Sequence, residues 1–268
     1  MTDVTKERAA ERDGVREEVE TLRREKARRH DYLMTLVHEF RNPLTALGGA
    51  AEILEDSLDD RLNAQEREFF GVVKISLARL NQMLDEMLEL TSLEGREVEL
   101  RYEATDVAAL AGDVLAEFEP RAEVFGVKLN PLRRAGEIPE VECDPVLISR
   151  VIANMVSNAV KYNKDGGEVT VTLAAGDGRL GVAVADTGMG IPEENFDKIF
   201  TRFYRAPEVR QKKIAGTGLG LTIAKNIVEL HGGEMAFTSV SGEGSTFTFE
   251  IPVRRPNGGP SADNEREG

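Results

Sequence analysis

The chain has 268 residues, of which 41% are hydrophobic and 31% charged, and its formal net charge at pH 7 is -14. This size allows one large or two modest domains with real cores, and the acidic balance argues against a nucleic-acid partner, because phosphate backbones attract basic faces. No run approaches the roughly 20 apolar residues of a membrane span, no signal peptide is visible, and the single Cys143 fits a reducing compartment, so we expect a cytoplasmic protein.

The first predicted element is a coiled coil. Its core positions step by four and three in turn: Val15, Val19, Leu22, Lys26, Arg29 and Leu33. The register then needs two steps of four, a stutter that locally unwinds a supercoil. We expect residues 1–28 to form a signalling helix that passes twist to the next segment. The polar residues Lys26 and Arg29 leave a frayed, weakly paired arm as the alternative.

A histidine with a carboxylate neighbour follows on the same helix. The apolar stripe continues through Leu33, Val37, Phe40, Leu44, Leu47, Ala51 and Leu54. His38 is one position off this stripe, so we expect its nucleophilic ring at the bundle surface, with Glu39 able to take the released proton. Asn42 lies one turn on and can orient a small molecule, and Pro43 should bend the helix or open its hydrogen bonds. A buried or salt-bridged histidine is the alternative.

A turn at 59–63 precedes a second helix. Its apolar positions step by four and three without a slip: Phe69, Val73, Ser76, Leu80, Met83, Met87 and Leu90. Gly95 should end it. Because two helices cannot cover this much apolar surface, we expect a homodimer that closes a four-helix bundle. The predicted dimerisation domain is 29–95, with a linker at 96–102.

Helices and strands mix from residue 103 onward. We predict helices over 107–124, 145–162 and 218–231, and strands over 127–132, 168–174, 179–185, 234–239 and 245–253. Asp144 before Pro145 is an N-cap signal. Consecutive strands near the end favour an antiparallel or mixed sheet covered on one face. This α/β domain spans 103–254, and the polar tail at 255–268 is expected to be disordered.

Polar side chains on the predicted helix 145–162 are the first candidate site. Asn154 and Asn158 are four residues apart on one face, and Lys161 lies almost one turn past Asn158. Amide oxygens suit a hydrated Mg²⁺ ion that shares phosphate oxygens, Lys161 adds a cation for phosphate, and Tyr162 adds an aromatic face or a hydroxyl. Two polar residues on a solvated helix face are the alternative.

Two glycine-rich segments follow. The first is Asp186, Thr187, Gly188, Met189, Gly190 and Ile191. A carboxylate at a strand end can accept a hydrogen bond from an adenine amino group, and glycines let the backbone approach a flat base; an ordinary turn is the alternative. The second is Gly216, Thr217, Gly218, Leu219, Gly220 and Leu221. It opens a predicted helix whose N–H groups can hold phosphate, but it matches neither a Rossmann fingerprint nor a Walker A loop.

An aromatic and basic segment lies between them. Residues 200–205 read Phe-Thr-Arg-Phe-Tyr-Arg, and from Lys198 to Lys213 the sole acid is Glu208. On so acidic a protein this local reversal of charge indicates a lid that holds a polyanion such as a triphosphate. A flexible loop kept solvated by its lysines is the alternative.

The order of these signals resembles that of the sensor histidine kinases of two-component systems. The run His-Glu-Phe-Arg-Asn-Pro-Leu at 38–44 is similar to their phosphoacceptor motif. The second domain resembles the Bergerat-type ATP-binding domain that histidine kinases share with gyrase-like enzymes and Hsp90-like chaperones. The resemblance covers about 29–253 and implies a helical dimerisation bundle followed by an α/β sandwich with a mixed sheet.

The resemblance also implies the chemistry. His38 would be phosphorylated by ATP with Glu39 as the base, and the phosphoryl group would pass to an aspartate of a separate response regulator. Asn42 would position water for dephosphorylation of that regulator. No sensor domain is visible, so the chain is either cut from a longer protein or receives its signal from a partner through the coiled coil.

ATP and Mg²⁺ are the implied ligands of the second domain. Asp186 would contact the adenine, Asn158 the Mg²⁺ ion and Arg205 the γ-phosphate. The other implied nucleotide-binding residues are Asn154, Lys161, Tyr162, Gly188, Gly190, Ile191, Gly216, Thr217, Gly218, Leu219 and Gly220. Two other functions remain open: an ATPase or clamp in which His38 is incidental, and a non-catalytic hub or phosphatase.

Overall fold

The computed structural model of the chain describes residues 3–58, 62–95, 99–211, 214 and 216–255. Within its helices some side chains, among them that of His38, lie outside this description. The chain divides into two compact units, Met1–Val98 and Glu99–Gly268. The first is helical and the second holds a mixed sheet with helices, which confirms the predicted fold class.

Two long helices form the first unit, α1 (Asp3–Leu58) and α2 (Ala64–Gly95). α1 continues through Pro43. α2 begins at a reciprocal cap, because the Asn63 side chain accepts the N–H of Glu66 at 3.0 Å and the Glu66 carboxylate accepts the N–H of Asn63 at 2.8 Å. No helix among the described residues is long and apolar enough to cross a membrane.

Two predictions for the first unit fall outside the described residues. The heptad pairing before Leu33 depends on side chains that are mostly not described, and so does the stutter that precedes His38. The predicted turn includes Asp59 and Asp60, which are also outside the description. The backbone of the predicted coiled-coil segment is helical from Asp3 onward.

The apolar stripe of α1 divides into two rows, each spaced by seven residues. The first row is buried or partly buried within the hairpin and comprises Val37, Leu44 and Ala51. The second row is 56%, 56% and 51% exposed and comprises Phe40, Leu47 and Leu54. α2 repeats the division, with an inner row and exposed apolar residues that include Phe69, Val73 and Leu80. The hairpin therefore covers only part of its own apolar surface.

The second unit contains eight strands and four α-helices among its described residues. In chain order these are β1 (Glu103–Thr105), α3 (Val107–Val124), β2 (Lys128–Leu129), β3 (Arg133–Ala135), β4 (Val141–Cys143), α4 (Pro145–Lys161), β5 (Glu168–Gly176), β6 (Arg179–Asp186), α5 (Pro207–Gln211), α6 (Gly220–Leu230), β7 (Glu234–Val240) and β8 (Gly244–Pro252). A 3₁₀ helix at Glu193–Lys198 lies between β6 and α5.

The strands of the main sheet follow the order β2, β5, β6, β8, β7. β5, β6, β8 and β7 pair antiparallel, and both β2 and β3 pair parallel with β5. The strand predicted at 127–132 is observed only over Lys128–Leu129, and Pro131, which has no N–H to donate, lies in the gap between β2 and β3. β1 and β4 form a separate antiparallel pair of three residues each, too short to show a periodic pattern.

Three helices, α3, α4 and α6, pack together beside the sheet. Alternate residues of the central strands are buried, as along β5 at Val169, Val171 and Leu173. α4 begins as predicted, because the Asp144 carboxylate accepts the N–H of Leu147 at 3.1 Å. α6 begins at Gly220 and not at the predicted Gly218, whose φ of +82° lies outside the helical region.

Candidate active site

A pocket lies in the second unit near the end of α4, the turn after β6 and the segment that includes α5. The space between its lining residues amounts to about 760 Å³, part of which is open solvent. Predicted site residues contribute to its wall: Asn158, Tyr162, Asp186, Gly190, Ile191 and Arg205. The remaining wall is mostly apolar and includes Ile199, Leu221 and Phe247.

Asp186 is a partly buried acid in the wall of this pocket. Its Oδ1 accepts the N–H of Gly188 at 2.8 Å, and the backbone N–H of Ser245 also donates to the carboxyl. Burial raises the pKa of Asp186 to about 6, and the two backbone donors counteract that rise. At neutral pH the pocket therefore contains a carboxylate with acceptor capacity to spare for a ligand.

The turn after β6 lies against the backbone of two other segments. The N–H of Met189 donates to the carbonyl of Tyr162 at 3.0 Å. A Cβ on Gly188 would lie 2.4 Å from that same carbonyl oxygen. Gly190 has φ +63°, and a Cβ there would lie 2.0 Å from the carbonyl oxygen of Val240. Only glycine fits at these two positions, so the turn can hold its backbone at the pocket edge.

Gly190→Ala is expected to lower the melting temperature of the second unit by roughly 5 °C or more, because strain and overlap together cost at least about 2 kcal/mol. The matched control is Gly178→Ala. Gly178 has φ +73°, but nothing lies within 4 Å of its added Cβ. It therefore bears only the conformational cost, about 1 kcal/mol. The test is thermal unfolding of both variants, in which Gly190→Ala should melt at the lower temperature. Equal melting temperatures would contradict the close backbone approach at Gly190.

The glycine-rich segment 216–220 lies against α4. The Nδ2 of Asn154 donates to the carbonyl of Gly220 at 3.3 Å. A Cβ on Gly216 would lie 2.3 Å from the Nζ of Lys161, so this ammonium lies beside the backbone of the segment. The same Nζ is 4.8 Å from the centre of the Tyr162 ring, a cation–π distance. Of these residues, Tyr162 lines the pocket, whereas Asn154, Lys161, Gly216 and Gly220 do not.

Two further predicted residues of the segment are buried, Thr217 and Leu219. The Thr217 hydroxyl accepts the N–H of Leu219 at 3.3 Å. A Cβ on Gly218 would lie 2.8 Å from the carbonyl carbon of Phe203, and the Phe203 N–H donates to the carbonyl of Gly218 at 3.0 Å. The predicted aromatic-basic segment and the predicted glycine segment are therefore bonded to each other through their backbones.

Arg205 brings a cation into the pocket wall. Its Nη2 donates to the carbonyl of Ile214, and its buried Nε has no hydrogen-bond partner among the described residues. Burial raises the pKa of the Tyr162 hydroxyl, and the nearby Arg205 guanidinium counteracts this. Tyr204, the residue before Arg205, donates its hydroxyl to Asn195 Oδ1 at 2.6 Å. Arg205 thus has a donor available for an anion.

In the first unit, Glu39 and Asn42 are exposed on α1. The backbone of His38 is helical, whereas its side chain lies outside the description, so its surface position stays a prediction. Next to these residues, the side chains of Arg41 on α1 and Asp85 on α2 form an ion pair. The structure thus places the three predicted catalytic residues on a helix that is fastened to its hairpin partner.

Comparison with protein families identifies both units. Residues 28–96 match the His Kinase A (phospho-acceptor) domain, and residues 143–255 match the histidine kinase-, DNA gyrase B-, and HSP90-like ATPase. The chain belongs to the two-component sensor histidine kinases. The first match contains His38, and the second contains the pocket residues described above.

Two curated histidine kinases show the extent of the likeness. The chain is 30% identical to the sensor histidine kinase WalK of Bacillus subtilis over 228 residues, which is 84% of the chain and 37% of WalK. It is 31% identical to the histidine protein kinase DivJ of Caulobacter vibrioides over 255 residues, which is 94% of the chain and 42% of DivJ. The chain thus spans less than half the length of either relative.

Two solved structures are similar to this chain over most of its length. Full-length ShkA in complex with AMPPNP has a TM-score of 0.71 and 29% identity, covering 85% of this chain and 47% of that one. The histidine kinase ThkA in complex with the response regulator protein TrrA has a TM-score of 0.61 and 27% identity, covering 89% of this chain and 66% of that one.

Some pocket residues of this histidine kinase chain were not predicted from the sequence, among them Glu208 in α5 and Ser245 and Phe247 on β8. Ser245 is the register partner of Asp186 across the β6–β8 pair. The strand predicted at 245–253 contained both β8 residues, but only the strand order and register bring them to Asp186. The alternation along β8, which buries Ser245, Phe247 and Phe249, was the available signal.

Proposed function

We propose that this chain binds ATP in the pocket of the second unit, transfers the γ-phosphoryl group to His38 and passes it to an aspartate of a response regulator. The observation that carries the proposal is a partly buried carboxylate, Asp186, at the edge of a glycine turn, in a chain that also matches the phospho-acceptor domain. The AMPPNP complex of ShkA and the regulator complex of ThkA support it.

The base of ATP is recognised by Asp186 and the turn that follows it. The carboxylate accepts a hydrogen bond from the exocyclic amino group of adenine. Gly188 and Gly190 keep side chains away from the plane of the base, and the apolar side chains of Ile191 and Phe247 supply contact surface for it. Guanine has an oxygen at the corresponding ring position, which would face the carboxylate, so the site selects adenine.

The triphosphate is held by cations and backbone donors. Lys161 lies beside the backbone of segment 216–220, and Arg205 has a buried Nε with a donor to spare. Thr217 and Gly218 precede α6, so their backbone N–H groups lie near the N-terminal end of its dipole. Asn154 bonds to Gly220 and so acts on the phosphates by fixing this segment.

Asn158 fits a role in binding Mg²⁺. It lines the pocket, and the described part of the chain has no cluster of three or more His, Cys, Asp or Glu residues that could hold a metal ion by itself. A neutral amide oxygen in such a setting suits Mg²⁺, which keeps several waters and shares phosphate oxygens. When bound, Mg²⁺ offsets negative charge on the phosphates.

The phosphoryl transfer step uses residues of α1. A ring nitrogen of His38 forms a bond to the γ-phosphorus as the bond from that phosphorus to the bridging oxygen of ADP breaks. Glu39, the next residue, accepts the ring proton. The phosphohistidine then donates its phosphoryl group to a regulator aspartate. Asn42, one turn from His38 and exposed, positions water for hydrolysis of the phosphorylated regulator.

Incubation with ATP labelled at the γ-phosphate and Mg²⁺ tests the proposal. We expect a label on the protein that is stable in alkali and labile in acid, and that moves to an isolated receiver domain when one is added. Release of inorganic phosphate without a label on the protein would instead support an ATPase or clamp of the same fold.

Dimerisation is part of the proposed function, and Leu47→Asp tests it. Leu47 belongs to the exposed apolar row with Phe40 and Leu54, which fits a second copy of the hairpin in a four-helix bundle. Burying a carboxylate there should weaken the dimer about 100-fold or more. Thr45→Asp is the control, because two residues along a helix place it on the opposite face. Sedimentation that shows both variants equally dimeric would contradict this interface.

A further inference from the structure

We propose that Ser239, which does not line the pocket, is a positioning residue that holds both the base-recognition edge and the glycine turn in place for ATP. The inference rests on the proposed function. Asp186, Ser245 and Ser239 form one row across three neighbouring strands, because Ser245 on β8 is the register partner of both Asp186 on β6 and Ser239 on β7. Ser239 therefore lies two strands away from the carboxylate that contacts the base.

The Ser239 hydroxyl makes three contacts. It accepts the backbone N–H of Ile191 at 2.8 Å. It lies 3.0 Å from the carbonyl oxygen of Gly244, to which it can donate, and 2.9 Å from the hydroxyl of Ser245. Ile191 and Ser245 both line the pocket. One side chain thus connects the glycine turn to the β7–β8 hairpin on two sides of the ligand site.

The backbone contacts of the same two segments increase the effect of this side chain. The N–H of Gly242 in the hairpin donates to the carbonyl of Met189 in the turn at 2.8 Å. A Cβ on Gly244 would lie 2.0 Å from the carbonyl oxygen of Asp186 and 3.0 Å from the Cα of Thr187, so the hairpin also lies directly against the start of the turn. The Ser239 hydroxyl adds side-chain hydrogen bonds between the same two segments, to Ile191 in the turn and to Gly244 in the hairpin.

The hydroxyl group of Ser239 has a single hydrogen, and the group that accepts it affects what the pocket offers to a ligand. Its oxygen accepts from Ile191, and it has a single hydrogen to donate. If that hydrogen goes to Ser245, the hydroxyl hydrogen of Ser245 is available to the pocket. If it goes to Gly244, Ser245 can donate to Ser239 and present a lone pair to the pocket. The acceptor to which Ser239 donates its hydrogen therefore sets whether the Ser245 hydroxyl, next to Asp186, offers the ligand a donor or an acceptor.

Ser239→Ala should raise the KM for ATP in autophosphorylation about tenfold and change kcat by less than twofold, because hydrogen bonds that order the binding site are lost and the reacting groups are not touched. Ser239→Thr keeps the hydroxyl and should restore KM to within about twofold of wild type. The matched control is Thr238→Ala, an exposed hydroxyl on the same strand, which should behave as wild type.

Two further measurements separate positioning from simple packing. Hydrogen exchange of the Ile191 amide should quicken in Ser239→Ala in the absence of nucleotide, and should not in Thr238→Ala. Because Ser239 acts through Ser245, the two substitutions should not be additive. The fold-increase in KM of the double variant Ser239→Ala/Ser245→Ala should therefore be well below the product of the fold-increases of the two single variants. Hydrogen exchange needs no activity, so it applies even to a variant whose kinase assay fails.

An unchanged KM and unchanged Ile191 exchange in Ser239→Ala would overturn this inference while leaving the kinase proposal intact. So would a Ser239→Thr variant as impaired as Ser239→Ala, since packing and not the hydroxyl would then matter. A wild-type chain that binds no ATP would overturn the proposed function itself, and this inference with it.

Discussion

His38→Gln should reduce the label transferred from γ-labelled ATP to below about one-thousandth of the wild-type level, because the glutamine amide is no nucleophile at phosphorus. The affinity for ATP should stay within about twofold, since the pocket is built entirely by residues of the second unit. The measurement is autophosphorylation in parallel with nucleotide binding by calorimetry.

His30→Gln is the matched control for this result. His30 is the other histidine of α1, and the chain has three histidines in all. The third, His231, is buried, and burial lowers its pKa. Its Nε2 accepts the backbone N–H of Asp144 at 3.1 Å, which requires the neutral imidazole. His231 thus holds the N-cap residue of α4 in place. A His38→Gln variant that keeps an acid-labile label would contradict the assignment of the phosphoacceptor.

Asp186→Asn should weaken ATP binding about 100-fold. The carboxylate accepts two backbone N–H groups and has capacity left for the adenine amine, whereas an asparagine amide has one acceptor oxygen and an NH₂ group that would face those donors. Losing a charge-assisted hydrogen bond in a buried site costs about 2–3 kcal/mol, which corresponds to that factor. Asp177→Asn, the same exchange in the exposed turn before β6, is the control.

The pH dependence of binding gives this prediction a second readout. Because the pKa of Asp186 is raised to about 6, the carboxyl is increasingly protonated below pH 6. The dissociation constant for ATP should therefore be flat from pH 7 to 8 and rise up to tenfold for each unit below pH 6, in wild type and in Asp177→Asn alike. A flat profile down to pH 5 would contradict recognition by the ionised carboxylate.

The same group has the opposite effect on the stability of the unliganded fold. Its pKa in the folded chain lies above the ordinary value of 3.8, so the folded state binds the proton more tightly than the unfolded state. The contribution of Asp186 to stability is thus fully favourable below about pH 4 and is lost as the pH rises through about 6. The site keeps a carboxylate that is costly to the empty protein and useful once adenine is bound.

Local signals made much of the second unit predictable. The Asp-Pro pair at 144–145 predicted the start of α4, and the helix is observed over Pro145–Lys161. The apolar alternation of β5 and β6 predicted those strands to within two residues at each end. The order of polar and glycine motifs was enough to indicate the family, because each motif is a short run whose chemistry depends on neighbours in the sequence.

Contacts between distant segments were not predictable in the same way. Ser245 reaches Asp186 only through the β6–β8 register, and Ser239 reaches Ile191 only because the β7–β8 hairpin lies against the glycine turn. The helix predicted from about Gly218 begins two residues later, at Gly220, because Gly218 has φ +82° and lies against the backbone of Phe203. In each case the deciding interaction joins residues that are remote in the chain.

The first unit shows a different gap. One apolar stripe was predicted on α1, whereas the structure divides it into an inner row and an exposed row seven residues apart. A sequence pattern gives the total apolar surface of a helix, but it does not indicate how that surface is shared between a partner within the chain and one outside it. The exposed row therefore carries the argument for a second copy.

Mass spectrometry at alkaline pH, after incubation with ATP and Mg²⁺, tests the central claim most directly, because it locates the transferred phosphoryl group on a single side chain. We predict one phosphorylated peptide, modified at His38, that disappears after brief acid treatment. A phosphoryl group found on serine, threonine or aspartate instead, or no modification while ATP is hydrolysed, would contradict a kinase that uses this helix as its acceptor.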